Sequence, residues 1–268
     1  MKKLTRRELE RGFSDKGLIP EIVLYDLTDS TNVRALEYAR KSRPDRPTLF
    51  IASEQTAGRG RLGRSFSSPL GGIYMTILTR IPEGASTTAL TSYAAVSVCR
   101  ALGEMTNLSP KVKWVNDIYI GSLKLSGILA QGFVDPDTEC ISHVALGIGL
   151  NVSGKEMPEE IRGIATSLEK EGVIIDRTRL AAKIAELYLR DLANATAPEI
   201  INEYRSLSML TGAYVNVIHP DRTYPAMVIG IGDECELIVQ LEDGKTELLR
   251  TGEVSVRPAN QQKRAISQ

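Results

Sequence analysis

Cysteine, histidine and tryptophan are scarce in this 268-residue chain, at three, two and one residues. Cys99, Cys140 and Cys235 lie far apart with no Cys-x-x-Cys spacing, which suits neither a disulfide framework nor a thiolate zinc site. They read as reduced, buried thiols. His143 and His219 have no second metal-ligating residue at useful spacing, so a zinc hydrolase or a histidine-based triad lacks its parts. Net charge is absent as well: 33 basic and 33 acidic side chains cancel. No overall field draws the chain to a phosphate backbone, and any such attraction needs a local patch. No apolar run approaches the roughly 20 residues of a membrane span. The charged start, Met1 to Arg11, has no apolar segment behind it to make a secretory signal. The cytoplasm is the expected address.

What is present is a soluble composition with 42% hydrophobic residues, enough for one large domain and a small appendage. Residues 1–20 read as a polar leader. Ile22 to Tyr25 reads as a strand, and Asp29-Ser30-Thr31-Asn32 are all helix-capping types ahead of a helix through Arg40. Thr48 to Ser53 and Ile73 to Thr79 are strand-like, separated by a glycine, arginine and serine loop, Gln55 to Gly72, too long for a turn. Thr87 to Met105 has a buried-helix pattern. Lys111 to Val152 reads as three or four strands with turns at Gly121-Ser122 and Asp135-Pro136-Asp137, and helices return at Thr178 to Asn194 and Pro198 to Leu207. After Gly212 the texture changes to short strands around the hairpin signal Asp243-Gly244. The expected division is a leader (1–20), an α+β domain (21–210), a small β-barrel (211–258) and a polar tail (259–268).

Two phosphate-binding patterns fail on inspection. Gly58-Arg59-Gly60-Arg61-Leu62-Gly63 satisfies Gly-x-Gly-x-x-Gly, but Arg64-Ser65-Phe66-Ser67-Ser68-Pro69 cannot begin the helix that a dinucleotide fold needs. Gly149 to Lys155 has the glycine and lysine of a P-loop, yet Glu156 stands where a hydroxyl should hold magnesium.

Four segments survive. From Gly58 to Arg64, Arg59, Arg61 and Arg64 alternate with glycines and no acidic residue neutralises them; backbone N–H groups and guanidinium forks together make an anion trap. A solvated basic loop or a glycine-arginine RNA-binding segment is the bland alternative. Lys113-Trp114-Val115-Asn116-Asp117 is followed by Lys124. With Gly121-Ser122 as a two-residue turn, Tyr119 pairs with Lys124, and Lys124 lies diagonal to Asp117, about 7–8 Å away at the backbone. This reads either as a cross-strand ion pair or as site chemistry. Gly147-Ile148-Gly149-Leu150-Asn151 places two glycines in an apolar strand, as a bulge or as a place where a flat ligand or another backbone approaches. Asp29 to Asn32 caps a helix or hydrogen-bonds a polar ligand.

Together the four segments resemble the biotin protein ligases. Gly58 to Arg64 looks like that family's biotinyl-adenylate loop, and Lys113-Trp114-Val115-Asn116-Asp117 resembles its Lys-Trp-Pro-Asn-Asp motif, with Val115 in place of proline. Phe66 stands where well-known relatives carry a tryptophan over the adenine, so stacking is available but weaker. The resemblance implies an α+β fold: the mixed sheet shared with class II aminoacyl-tRNA synthetases, followed by an SH3-like C-terminal barrel. It implies an ATP-dependent ligase that forms biotinyl-5′-AMP and passes biotin to a lysine of a biotin carboxyl carrier protein, with Mg²⁺ screening the pyrophosphate.

By that resemblance Ser30, Thr31, Asn32 and Gln55 meet the ureido ring, while Lys113, Asn116 and Asn151 serve the nucleotide. Gly58, Arg59, Gly60, Arg61, Phe66 and Gly127 complete the binding set. Lys124, Arg61 and Asp117 are the catalytic candidates, Asp117 orienting Lys124 or taking a proton from the incoming amine. Relatives that repress transcription carry a DNA-reading domain in front; fewer than thirty residues precede Asp29, so no DNA binding is expected. No membrane partner is expected either. Gly147 to Val152 and its neighbours could offer a sheet edge to a second copy. The rivals are a lipoate or octanoate transferase of the same fold and an RNA-binding protein using the basic loop.

Overall fold

The protein is described from a computed structural model that covers residues 3–82, 85–153, 159–193, 198–218, 222–250 and 253–256. The expected polar tail, His219, and the Gly154 to Glu156 end of the P-loop-like stretch lie outside the described residues.

Seven strands form one mixed sheet: β1 (Glu21–Thr28), β2 (Thr48–Gln55), β3 (Ile73–Arg80), β4 (Lys111–Lys113), β5 (Asp117–Ile120), β6 (Leu123–Val134) and β7 (Ile141–Leu150), in the order β1-β2-β3-β7-β6-β5-β4. β1 and β2 run parallel, with α2 (Thr31–Ser42) as the crossover between them. All the other neighbours pair antiparallel. Alternation along the strands divides the sheet into two faces. Phe50, Leu78 and Ala145 pack under Ala35 and Ala39 of α2, whereas Leu49, Ile51, Met75, Ile77, Leu146 and Ile148 belong to the larger core on the other side.

That larger core is closed by helices. α3 (Thr87–Met105) is apolar almost all round, from Leu90 through Val96 and Val98 to Leu102, which suits a helix enclosed by others. It packs against the sheet, α4 (Arg177–Ala193) and α5 (Pro198–Leu207). Ser86 caps it, its side chain accepting from Ala89 N–H at 3.1 Å.

The start of the chain is not a polar leader throughout. α1 (Arg6–Gly12) docks on α4, and Leu4, Leu9 and Phe13 are buried in the main core. The sequence masks this because only three apolar residues in a charged stretch make the contact. Glu186 of α4 fastens it, accepting from Ser14 Oγ at 2.7 Å and from Asp15 N–H at 2.7 Å.

β7 is not a sheet edge. It pairs with β3 on one side and β6 on the other through its whole length, so the edge expected at Gly147 to Val152 is absent. The long hydrophobic run Val144 to Leu150 fits a central strand better than an edge.

The C-terminal unit is a five-stranded antiparallel sheet of β8 (Tyr214–Ile218), β9 (Thr223–Ile231), β10 (Leu237–Gln240), β11 (Thr246–Leu249) and β12 (Glu253–Val256), in the order β11-β10-β9-β8-β12. Gly244 takes φ 83° in the β10–β11 turn, as Asp243-Gly244 leads one to expect. Val215, Val217, Ala226, Val228, Leu237 and Val239 point inward and join the main core. Among the described residues no helix is long and apolar enough to cross a membrane.

Candidate active site

A cleft opens on the α2 face of the sheet, where β5, β6, β7 and β3 present short or polar side chains instead of large apolar ones. Gly127 of β6 and Gly149 of β7 are cross-strand partners, and Tyr74 of β3 stands beside Gly149. The two glycines of β7 are filled by side chains of the protein itself. A Cβ at Gly147 would collide with Asn32 Oδ1, and one at Gly149 would come within 2.5 Å of Phe66 Cε1. The pair is neither a bulge nor a place for a second backbone.

At one end stand Ser30, Thr31, Asn32 and Gln55. Ser30 is the N-cap of α2, but its side chain makes no capping bond. Gln55 Oε1 takes over, accepting Thr31 N–H at 2.8 Å. Asn32 is held on both sides of its amide: Oδ1 accepts from Thr76 Oγ1 at 2.6 Å, and Nδ2 donates to Leu129 C=O at 3.2 Å and Gln131 Oε1 at 3.0 Å. Asp29 turns away from the cleft toward Arg34 at 2.8 Å. Burial would raise its carboxyl, but the Ser30 N–H and the Arg34 guanidinium outweigh that and hold it below the ordinary carboxylate value.

The arginine loop crosses the other end as a small hairpin, not an open coil. Gly60 N–H donates to Arg64 C=O at 2.7 Å, and Phe66 N–H donates to Gly58 C=O at 2.8 Å. Leu62 and Gly63 at its tip take φ 54° and 74°. Gly58 does not line the cleft; it sits at the base of the hairpin, where a Cβ would stand 2.5 Å from Ser68 Oγ and collide with Phe66 C=O. Arg59, Gly60, Arg61 and Arg64 do line it, and Arg61 Nη1 donates to Asn116 Oδ1 at 3.1 Å.

The turn at Gly121-Ser122 has the expected register, Tyr119 opposite Lys124 and Ile120 opposite Leu123. A bulge then shifts the pairing so that Asp117 faces Gly127. The result brings Lys124 Nζ to 2.7 Å from Asp117 Oδ1, an ion pair in contact but not aligned as a hydrogen bond. Gly127 makes room for it: a Cβ there would stand 3.3 Å from Lys124 Nζ and 3.4 Å from Phe66 Cε2. Lys113 leans over Tyr119, 5.9 Å from the ring centre. Asn116 Nδ2 donates to Ile128 C=O at 2.9 Å.

Of the residues expected at the site, all but Gly58 and Asn151 line the cleft. Asn151 points elsewhere, its Nδ2 donating to Thr166 C=O at 3.0 Å. Thr76 and Gln131 were not foreseen. Thr76 is a hydroxyl inside the apolar run Ile73 to Leu78, a signal legible in the sequence. Gln131 carries no such mark.

Five cationic side chains, Arg59, Arg61, Arg64, Lys113 and Lys124, converge on a cleft with one carboxylate, Asp117. In a chain of zero net charge this is a strongly local field. The cysteines take no part. Burial pushes the Cys99 thiol up to about 12 and raises Cys235, and Cys140 is exposed, unlike the buried thiol expected. His143 is a buried strand residue, its ring nitrogens 2.9 Å from Ser142 Oγ and 3.0 Å from Pro44 C=O. No cluster of three metal-ligating side chains occurs among the described residues.

Residues 24–151 match the biotin/lipoate A/B protein ligase family, and residues 212–257 match the biotin protein ligase C terminal domain. The bifunctional ligase/repressor BirA of Bacillus subtilis is 32% identical over 251 residues, 90% of this chain and 76% of that protein. A biotin--[acetyl-CoA-carboxylase] ligase of Mycobacterium tuberculosis is 30% identical over 241 residues, 85% of each chain. Among solved structures, a biotin protein ligase of Aquifex aeolicus in complex with biotin and ATP matches with a TM-score of 0.76 and 27% identity, over 90% of this chain and 100% of that one.

Proposed function

The chain belongs to the biotin protein ligase family and is a biotin ligase by class; from that premise we propose that it joins biotin to the α-phosphate of ATP and then passes the biotinyl group to a lysine of a biotin carboxyl carrier protein in the cytoplasm. The observation that carries this reading is the convergence of five cations and one carboxylate on a single cleft. In the first step a biotin carboxylate oxygen attacks the α-phosphorus, and the bond to pyrophosphate breaks. Two anions must meet, and their repulsion is what the cations screen. In the second step the carrier's amine attacks the acyl carbon, and AMP leaves.

Ser30, Thr31, Asn32 and Gln55 form the biotin end. The hydrogen bonds from Thr76, and to Leu129 and Gln131, hold the Asn32 amide in one orientation, which supports a preorganised partner for a urea-like ring. Arg59 and Arg61 grip phosphate and carboxylate. Lys124 stabilises charge growing at the α-phosphoryl group, and its contact with Asp117 favours an orienting role for that carboxylate. Lys113, Asn116 and the Phe66 ring serve the nucleotide; Asn151 supports the wall behind them. Mg²⁺ would fit as the counter-ion of the triphosphate: Asp117, the one carboxylate lining the cleft, is already paired with Lys124, so the side chains would leave most of its ligands to phosphate and water, and it would supply charge screening there. The arginine loop shields the mixed anhydride until the amine arrives.

The C-terminal match to the biotin-ligase domain favours biotin over lipoate as the acid. The test is pyrophosphate release from ATP with biotin, with lipoate and with neither. Release that depends on biotin alone is expected; release indifferent to biotin in folded protein would overturn the reading.

A further inference from the structure

Resting on the ligase reading, we infer that the C-terminal sheet holds the nucleotide side of the cleft in place through one hydrogen bond, from Trp114 Nε1 to the carbonyl of Cys235, with Tyr204 as its counterpart. Trp114, Val115 and Asn116 form the turn between β4 and β5. The cleft residues of this segment are Lys113, Trp114, Asn116 and Asp117. The side chains of Trp114 and Val115 are buried in the core, and Trp114 also borders the cleft.

Two donors pin the segment from behind. Trp114 Nε1 donates to Cys235 C=O at 2.9 Å, and Tyr204 Oη donates to Val115 C=O at 3.0 Å. Both bonds are buried, and neither partner lies near the other in sequence. Tyr204 suits the task because burial raises its phenol far above the ordinary value and keeps the proton on oxygen.

The acceptor turn is itself built to hold one shape. Cys235 sits at φ 64°, a left-handed conformation that a side chain other than glycine rarely adopts. Cys235 N–H donates to Gly232 C=O at 3.2 Å, Gly232 N–H to Glu236 C=O at 2.9 Å, and Glu234 N–H to the Glu236 carboxylate at 2.9 Å. From α5, Arg205 donates to Ile231 C=O at 2.9 Å and pairs with Asp233. The helix that carries Tyr204 therefore also grips the turn that receives Trp114. Tyr204 lies outside the cleft and Trp114 borders it; through these two bonds both act as positioning residues that set where Lys113, Asn116 and Asp117 stand. Neither bond reaches the biotin end, which hangs on α2, β2 and β3 with Leu129 and Gln131 of β6 holding the Asn32 amide.

Trp114→Phe and Tyr204→Phe each delete one donor, keep a ring and leave a buried carbonyl unpaired. Calorimetric titration of the full chain with a non-hydrolysable ATP analogue, in the presence of biotin, should show affinity reduced by about tenfold in each variant. Biotin titrated alone should bind within about twofold of wild type. Where turnover is followed, the loss should fall mainly on the KM for ATP. Equal weakening of both ligands, or a lowered melting temperature with unchanged nucleotide affinity, would reduce the contact to general stability and overturn the inference. The ligase reading is judged separately, by biotin-dependent pyrophosphate release in the wild type. Should Trp114→Phe fold poorly, Tyr204→Phe and Arg205→Met carry the test, the latter expected to weaken the nucleotide analogue in the same way by releasing the Cys235 turn.

Discussion

Phe66 lies across Gly149, so close that a Cβ on the glycine would stand 2.5 Å from Cε1 and 2.7 Å from Cζ. The same ring meets Tyr74 edge-on at 6.4 Å. Gly149→Ala is therefore expected to turn the ring out of its seat without straining the backbone. If the ring stacks on the adenine, Phe66→Ala and Gly149→Ala each raise the KM for ATP by about tenfold, and the double variant is no worse than either. Effects that multiply would mean that the two residues act separately.

Gly147 stands in the same relation to Asn32, whose amide already makes three hydrogen bonds, with Thr76, Leu129 and Gln131. Gly147→Ala should push that amide out of line and weaken biotin by about tenfold, with binding of an ATP analogue untouched. Isothermal titration with each ligand checks the split.

Lys124→Ala should slow adenylate formation by about 10²–10³, as for other preorganised charge stabilisers. Asp117→Asn keeps the lysine but frees it from its 2.7 Å partner, so a smaller loss is expected. Single-turnover formation of biotinyl-5′-AMP measures both, and a loss below tenfold for Lys124→Ala would assign that lysine to structure.

Arg61 reaches Asn116 across the cleft mouth at 3.1 Å. Arg61→Ala should release the adenylate faster while leaving its formation measurable, giving a leaky enzyme. The dissociation rate of labelled biotinyl-5′-AMP is the readout, and an unchanged rate would remove Arg61 from the clasp.

Glu186 holds the N-terminal segment. Burial would raise its carboxyl, yet the Asp15 N–H and Ser14 hydroxyl prevail and hold it below its ordinary 4.5. A carboxylate with a lowered folded pKa contributes stability above its unfolded pKa and loses it as pH falls through the folded value. Glu186→Gln should therefore cost about 1–3 kcal/mol at neutral pH, and the deficit should shrink below pH 4.5. Melting temperatures of both proteins from pH 3 to 8 would show this; a deficit constant with pH would contradict it.

Local pattern carried much of the fold. Thr87 to Met105, Pro198 to Leu207 and Tyr214 to Ile218 have the boundaries that periodicity and punctuation suggest. The Tyr119 to Lys124 register follows from the two-residue turn alone. The α1 contact was illegible because Leu9 and Phe13 are too few to outweigh their charged neighbours in a count, though each is buried. Likewise, Ser30 is a capping residue by type, but Gln55, which lies 24 residues beyond Thr31, takes the Thr31 N–H in its place.

By itself the sequence determined which residue types stand together: cations without counter-charges from Gly58 to Arg64, glycines in an apolar strand, a lysine one turn beyond an aspartate. These are short-range facts, set by chemistry along a few bonds. Only the tertiary structure decided what fills the glycines, which way Asn151 points, and that Trp114 is anchored 121 residues away at Cys235. Each of those depends on close packing between segments that the chain brings together when it buries its core, and side-chain contacts at that range leave no periodic trace in the order of residues.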